Sequence, residues 1–527
     1  MKFGDAEPLS HHGGKEPMSR YDVIVIGSGI GGLSAALTVA RAGKSVLVLE
    51  AERQFGGFIN PFARKKFWFD TGIHYVGEMG KGRSLYKQFE NLGLLDDLKF
   101  RELNPQGFDR YVFPDYEIRL GNSLDDFHRQ LSKDFPLERI SLNKFFIRFK
   151  SIDRSLRELQ KRKGVWATLR LLPKIPQLLR YKGYTYQQFL DQFFVDPRLK
   201  AVLSGPCGDI GLPPGSAAAL VMIGIIAHFS RGAYYPIGGS KKVRDTYVEH
   251  LESNGATLKR RSPVESIELK DGKASGVRTT TGETYQAPVV ISNASALHTL
   301  RDMVGYSKLQ KKSVQKIKKA RYSIGSVCVF VGTSQQPSEF GLDDANIWNY
   351  PSYDIDSLYR PVLEGRQMEE MAFFLTVPTL KDPHANHAPQ GKHTVELITF
   401  APWKAFEPWN QQPVLKRDPD YMQIKNDVGK RLLNAAEKYI PGLEAKAEVI
   451  EISSPLTNSS FANTPDGSIY GLDHIPSQIG SGRWGTRSPI EGLLFCGADS
   501  LGGGIAPCVT SGTAAGKLAL KTLTTSR

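Results

Sequence analysis

Two kinds of apolar spacing alternate along this chain. Uninterrupted runs, Val23-Ile24-Val25-Ile26 and Ser45 to Leu49, read as strands buried on both faces. Between them Leu33 to Ala42 has helical spacing and stops at Gly43. The first strand joins this helix through Gly27-Ser28-Gly29-Ile30-Gly31-Gly32, and the second strand ends in Glu50. This is G-x-G-x-x-G in its strand–turn–helix–strand setting. Gly27 permits the tight turn, Gly29 lets backbone approach a pyrophosphate, and Gly32 lets helix and strand pack closely. The helix start presents free N–H groups to an anion, and Glu50 stands where a carboxylate holds ribose hydroxyls.

The pattern runs on through Ala51 to the pair Gly56-Gly57. A unit that binds only a nicotinamide dinucleotide does not require that pair. Oxidoreductases of the glutathione-reductase type often carry it, so the cofactor reads as FAD. Further on, YVFPDYEIRL in 101–125 predicts a hairpin around Pro114-Asp115. Residues 125–230 are mostly helical by pattern. A helix from Lys241 to Ser253 is followed by short strands at 257–258, 264–269, 274–279 and 283–286, then by the buried run Val289 to Asn293. Phe373 to Val377 and His393 to Phe400 are strand-like, and Ala447 to Ile452 leads back toward the first unit. Gly492 to Asp499 is a strand ending in Gly497-Ala498-Asp499, with a glycine turn at 502–507 and a helix from Val509.

These blocks predict an α/β protein. Its Rossmann-like, glutathione-reductase-type FAD-binding domain is discontinuous (21–100, 231–300, 450–527), with an inserted α+β substrate domain (101–230, 301–449). Residues 1–20 read as a polar tail without the apolar core of a secretory signal, so the location reads as cytoplasmic, with peripheral membrane contact open. The longest apolar run, Ala217 to Ala227, is too short to span a bilayer.

Composition adds one feature. The net charge is +14, and between Arg139 and Lys182 thirteen Lys/Arg face two acids, Asp153 and Glu158. Phe, Trp and Leu interleave with these cations. Helices lying on an anionic bilayer and an ordinary solvated face over a core stripe both fit that mixture. No nucleic-acid module accompanies the charge. The four cysteines are scattered, and His384, His387 and His393 sit in a Pro/Asn/Gly-rich loop, so no metal is expected.

Four blocks carry a resemblance: Phe69-Asp70-Thr71-Gly72-Ile73-His74-Tyr75, Gly208-Asp209-Ile210-Gly211-Leu212-Pro213-Pro214-Gly215, Gly232-Ala233-Tyr234-Tyr235-Pro236-Ile237-Gly238-Gly239-Ser240, and Gly497 through Gly504 to Gly512. The chain resembles the phytoene desaturase, carotenoid isomerase and retinol saturase group of flavoproteins over about 20–520, the retinol saturases most. The resemblance implies FAD contacts at Gly27, Ser28, Gly29, Ile30, Gly31, Gly32, Glu50, Ala51, Gly56, Gly57, Gly72, Ile73, His74, Val264 (to adenine), Asn293, Gly497, Asp499 (to ribityl or phosphate), Gly504 and Ile505. Many relatives have Arg directly after the glycine pair; here the residue is Phe58.

The resemblance also implies an oxidoreductase acting on CH–CH groups of a long conjugated isoprenoid, by hydride transfer at the flavin. His74, Tyr75, Tyr234 and Tyr235 are candidates for handling the proton or lining the ring, while Asp209 among Gly and Pro reads as a turn cap. NAD(P)H or another external reductant, reaction direction and oligomeric state stay open. A fatty-acid isomerase, a flavin amine oxidase and a flavin-free prenyl-binding protein of the dissociation-inhibitor type are the alternatives.

Overall fold

The computed structural model describes residues 19–160 and 172–525. Parallel strands of one five-stranded sheet come from far-apart parts of the chain. Their order is Thr257–Lys259, Val46–Leu49, Val23–Ile26, Val289–Ser292 and Leu493–Phe495. Apolar residues on both faces explain why this sheet is interior. Gly27, at φ +84°, turns the chain out of the central strand. A Cβ on Gly32 would overlap Gly27 O, so only glycine lets the following helix, α1 (Ile30–Ala40), start this close to the sheet.

A second sheet has seven strands, in the order Ala447–Ile452, Gly325–Thr333, His393–Ala401, Phe373–Thr376, Asn346–Asn349, Asp109–Val112 and Glu117–Leu120. The hairpin at Pro114-Asp115 forms its edge, closed by Phe113 N–H to Tyr116 O at 2.8 Å. The hairpin's inner strand runs parallel to Asn346–Asn349, a pairing between segments more than two hundred residues apart.

Helices cover this second region. Helix α2 (Arg139–Gln160) buries Leu142, Phe145, Phe146, Phe149 and Ile152 at helical spacing. Each such side chain contributes roughly 1.5–3 kcal/mol on leaving water. These aromatic residues therefore face the core rather than a bilayer, while Ile140 and Ile147 point outward. The part of the basic stretch at 161–171 and most of the tail lie outside the described residues.

Helix α3 (Ala219–Phe229) packs on α2, α4 (Gly239–Ser253) packs on α1, and α5 (Pro419–Ala436) packs on the second sheet. The last helix, α6 (Ile505–Thr525), lies along α1, with Gly512 and Gly516 at the contact. No helix among the described residues is long and apolar enough to cross a membrane.

Candidate active site

One cavity of about 1620 Å³ runs between the two sheets. That exceeds the roughly 300–1,000 Å³ of an ordinary ligand pocket, enough for a large cofactor and a second molecule. One end is built from glycines and two helix starts. Helix α1 begins without a side-chain cap and without an acid in its first turn, and α6 also lacks a first-turn acid. Both helix starts line the cavity. Their N–H groups and dipoles are open to an anion.

Glycine is required where this end is tightest. A Cβ on Gly29 would stand 2.6 Å from Asn293 Nδ2, and one on Gly31 would stand 2.5 Å from Asn293 Oδ1. Gly57 needs φ +55° and lies against Gly29. Glu50 Oε2 accepts Ser28 N–H at 2.8 Å and the Ser28 hydroxyl, while its Oε1 accepts Glu52 N–H at 2.9 Å. Ser28 Oγ in turn accepts Gly56 N–H at 2.9 Å, tying the two glycine motifs together. Arg244 reaches in from α4, with Nη1 donating to Asn60 Oδ1 at 2.7 Å and to Gln54 Oε1 at 3.1 Å. This donor set, glycine backbone at two helix starts with one cation and one carboxylate, fits a dinucleotide.

The other end is apolar, walled by Phe330, Trp348, Tyr350, Tyr359, Phe374 and Phe400. Tyr75 projects there, its ring 4.5 Å from that of Phe229. Behind the aromatic wall lies a buried charged group. Lys381, 0% exposed, donates from Nζ to His74 O at 2.7 Å and to Asn346 Oδ1 at 2.5 Å. Burial pulls its pKa down to about 8, opposed by the carboxylates of Asp109 and Glu396. Asp109 accepts Asn346 Nδ2–H at 2.8 Å and the Tyr75 hydroxyl at 3.1 Å, and burial pushes its pKa up to about 6. His74 Nδ1 is 3.0 Å from Glu396 Oε2. Burial, then Lys381, lowers His74 to about 4, and burial holds Glu396 well above the usual carboxylate range. At neutral pH His74 is therefore an uncharged imidazole.

Residues 30–518 match the family described as flavin containing amine oxidoreductase. The chain belongs to that family. The protein is an FAD-dependent oxidoreductase with the fold of the flavin amine oxidases. It is 29% identical to an all-trans-retinol 13,14-reductase of Danio rerio, over 95% of this chain and 86% of that protein. It is 27% identical to a chloroplastic prolycopene isomerase of an Oncidium hybrid cultivar, over 93% of this chain and 82% of that one. Among solved structures, putrescine oxidase bound to putrescine superposes with a TM-score of 0.64 at 16% identity, covering 96% of this chain and all of that one.

In this oxidoreductase the cavity gathers Gly27, Ser28, Gly29, Ile30, Gly31, Glu50, Ala51, Gly56, Gly57, Gly72, His74, Tyr75, Val264, Asn293, Gly497, Asp499, Gly504 and Ile505. Gly32 and Ile73 lie beneath it, Gly32 at the helix–strand contact and Ile73 in the core. The Asp499 carboxylate is already engaged by Ala296 N–H, Leu472 N–H and the Tyr322 hydroxyl, so it braces the loops around the site.

Two tyrosines need correction. Tyr235 is buried outside the cavity, its hydroxyl on Asp70 at 2.5 Å, and Tyr234 faces Gly80 and Glu102 on the opposite side of the same strand. Strand alternation separates them, and neither reaches the cavity. Asp209 is no turn cap either: its Oδ1 accepts the Tyr75 hydroxyl at 3.0 Å. Burial sets the Cys508 thiol at about 12, an inert group.

Sequence reasoning missed Arg244, Asp109, Lys381 and Glu396. Asp109 carried a signal, an acid sharing inward strand parity with Tyr111. Arg244 supplies against the glycine pair the kind of cation absent at Phe58. Nothing in the pattern of α4 marks it.

The cavity opens beside Val414, Leu415, Met422 and Phe461. Leu415 is 89% exposed and sits at φ +65°, a conformation that is uncommon for leucine. Phe461 is 50% exposed, and Arg417 and Lys425 flank the opening.

Proposed function

We propose that this FAD-dependent oxidoreductase saturates a carbon–carbon double bond of a long conjugated isoprenoid, retinoid or carotenoid in type. One observation carries the reading. A single cavity joins an anion-ready dinucleotide end to an aromatic end that holds buried proton-bearing groups. The names of the retinol reductase and prolycopene isomerase relatives point to the same substrate class.

Gly29, Gly31, Gly57, Glu50, Asn293 and Arg244 would hold the dinucleotide portion of FAD, and the start of α6 would face the flavin. Bound FAD supplies hydride transfer to or from carbon. The chain's own residues do the rest. Phe330, Trp348, Phe374 and Phe400 exclude water and align an apolar chain. Uncharged His74 keeps the flavin-side wall neutral. The Tyr75 ring is clamped by Phe229, so its hydroxyl is fixed at the aromatic end. Saturation needs a proton as well as a hydride, and that hydroxyl lies in a carboxyl network able to provide one.

The substrate partitions into lipid. We assign the exposed apolar mouth at Leu415 and Phe461, flanked by cations, to contact with an anionic leaflet. The test of function is a panel run without oxygen. Retinoids and carotenoids should reoxidise the reduced protein and gain two hydrogens, while primary amines should leave the oxidised protein unchanged. Reduction of the flavin by an amine, with no polyene product, would establish the amine oxidase reading instead.

A further inference from the structure

The cluster around Tyr75 has more acceptors than protons. Tyr75 Oη stands 3.0 Å from Asp209 Oδ1 and 3.1 Å from Asp109 Oδ2. A phenol has one proton to donate, so two ionised carboxylates at this spacing would leave one of them facing a tyrosine lone pair. The remaining contacts decide which acid keeps a proton. Asp109 accepts Asn346 Nδ2–H and feels the charge of Lys381. Asp209 has no such partner. Its Oδ2 is buried without a hydrogen-bond partner, and the residue lines the cavity.

Besides Asp109 and Tyr75, the ionisable groups that feel its charge are Tyr111, Tyr350, Tyr359, Tyr470 and Cys207. All five are held neutral by burial, and among the described residues no cation acts on Asp209.

We propose that Asp209 is a neutral carboxylic acid at physiological pH and is the proton donor of the reaction, held in place by the Tyr75 hydroxyl. The inference rests on the saturase reading above. Burial and the adjacent Asp109 carboxylate push its pKa well above the usual range, the same logic by which other buried acids stay protonated. The step balances. The substrate π bond breaks, and one carbon gains a hydride, two electrons with one hydrogen, from reduced FAD. Its neighbour gains the proton of Asp209 Oδ2–H, leaving a carboxylate that keeps the Tyr75 hydroxyl hydrogen bond and takes its replacement proton from water admitted to the cavity once product leaves. A two-electron reductant of the dihydronicotinamide or reduced-flavin class restores the cofactor.

The first test needs no substrate. Infrared spectra of the resting holoenzyme at neutral pH should show a carboxylic-acid carbonyl band that shifts in heavy water and vanishes in Asp209→Asn. In Tyr75→Phe the band should persist at higher frequency because its hydrogen bond to Tyr75 is gone, which keeps the test open if the first variant does not fold. A wild-type spectrum without such a band, or one that Asp209→Asn leaves unchanged, overturns the neutral acid.

In turnover, Asp209→Asn should keep its flavin spectrum and lose polyene product about 10²–10⁴-fold. Full turnover by Asp209→Asn overturns the donor role and leaves the saturase reading standing. A wild-type protein that shows the band yet reduces no polyene refutes the saturase reading, and the donor role with it.

Discussion

Lys381 holds its ammonium out of water between His74 O and Asn346, and that position has a cost that depends on pH. Its pKa is about 8 in the fold against 10.5 in the open chain. Between those values the unfolded chain binds a proton that the folded chain does not. Stability from this group therefore rises with pH across that window, by roughly 3 kcal/mol in all. Lys381→Met should flatten that rise, read as urea midpoints from neutral to alkaline pH, and should also raise the pKa of Asp109 by removing its cation.

At the cofactor end, Gly29→Ala should yield folded protein with most of its flavin lost, because the new Cβ displaces Asn293. Absorbance of the purified protein checks this. The two residues differ in how legible they were. Each glycine answers a steric demand that its neighbours in sequence announce. Lys381, like Arg244, acquires its role only when distant segments meet, and a lone Lys in Pro378–Lys381 carries no local mark.

Among elements, the α1–α6 contact couples stability to cofactor binding. Gly512 lies on Gly31 O, and a Cβ on Gly516 would be 2.8 Å from Ala35 O. Gly512→Ala should cost about 1–3 kcal/mol through overpacking. It should also weaken FAD binding, because it pushes on the same turn of α1 that faces the dinucleotide. Thermal unfolding with and without added FAD separates the two effects: the variant's midpoint falls in both, and its gap from the wild type widens when FAD is added. Helices of this kind were readable from apolar spacing, as were α2 and the short buried strands. Their partners were not. Gly512 and Gly516 announce close packing without saying against what, and Tyr234 and Tyr235 looked equivalent until strand parity put them on opposite faces, one against Asp70 and the other against Glu102.

For the molecule as a whole, the question is how an apolar chain enters. Leu415 at the mouth is exposed in a strained conformation, with Val414, Met422 and Phe461 beside it. Leu415→Asp should reduce sedimentation with anionic vesicles and slow turnover of vesicle-borne polyene, leaving turnover in detergent unchanged. Charge reversals on α2 should matter less, since its aromatic face is in the core. The parallel sheet was foreseeable from the motif order along the chain. The seven-stranded sheet was not, because its strand order is set by pairings across hundreds of residues.

The most direct test of one cavity serving both cofactor and polyene is an anaerobic titration of the fully reduced protein with a conjugated retinoid. The account predicts that flavin absorbance returns in step with loss of polyene absorbance, one equivalent for each double bond saturated. Flavin that stays reduced in the presence of excess bound polyene would contradict it.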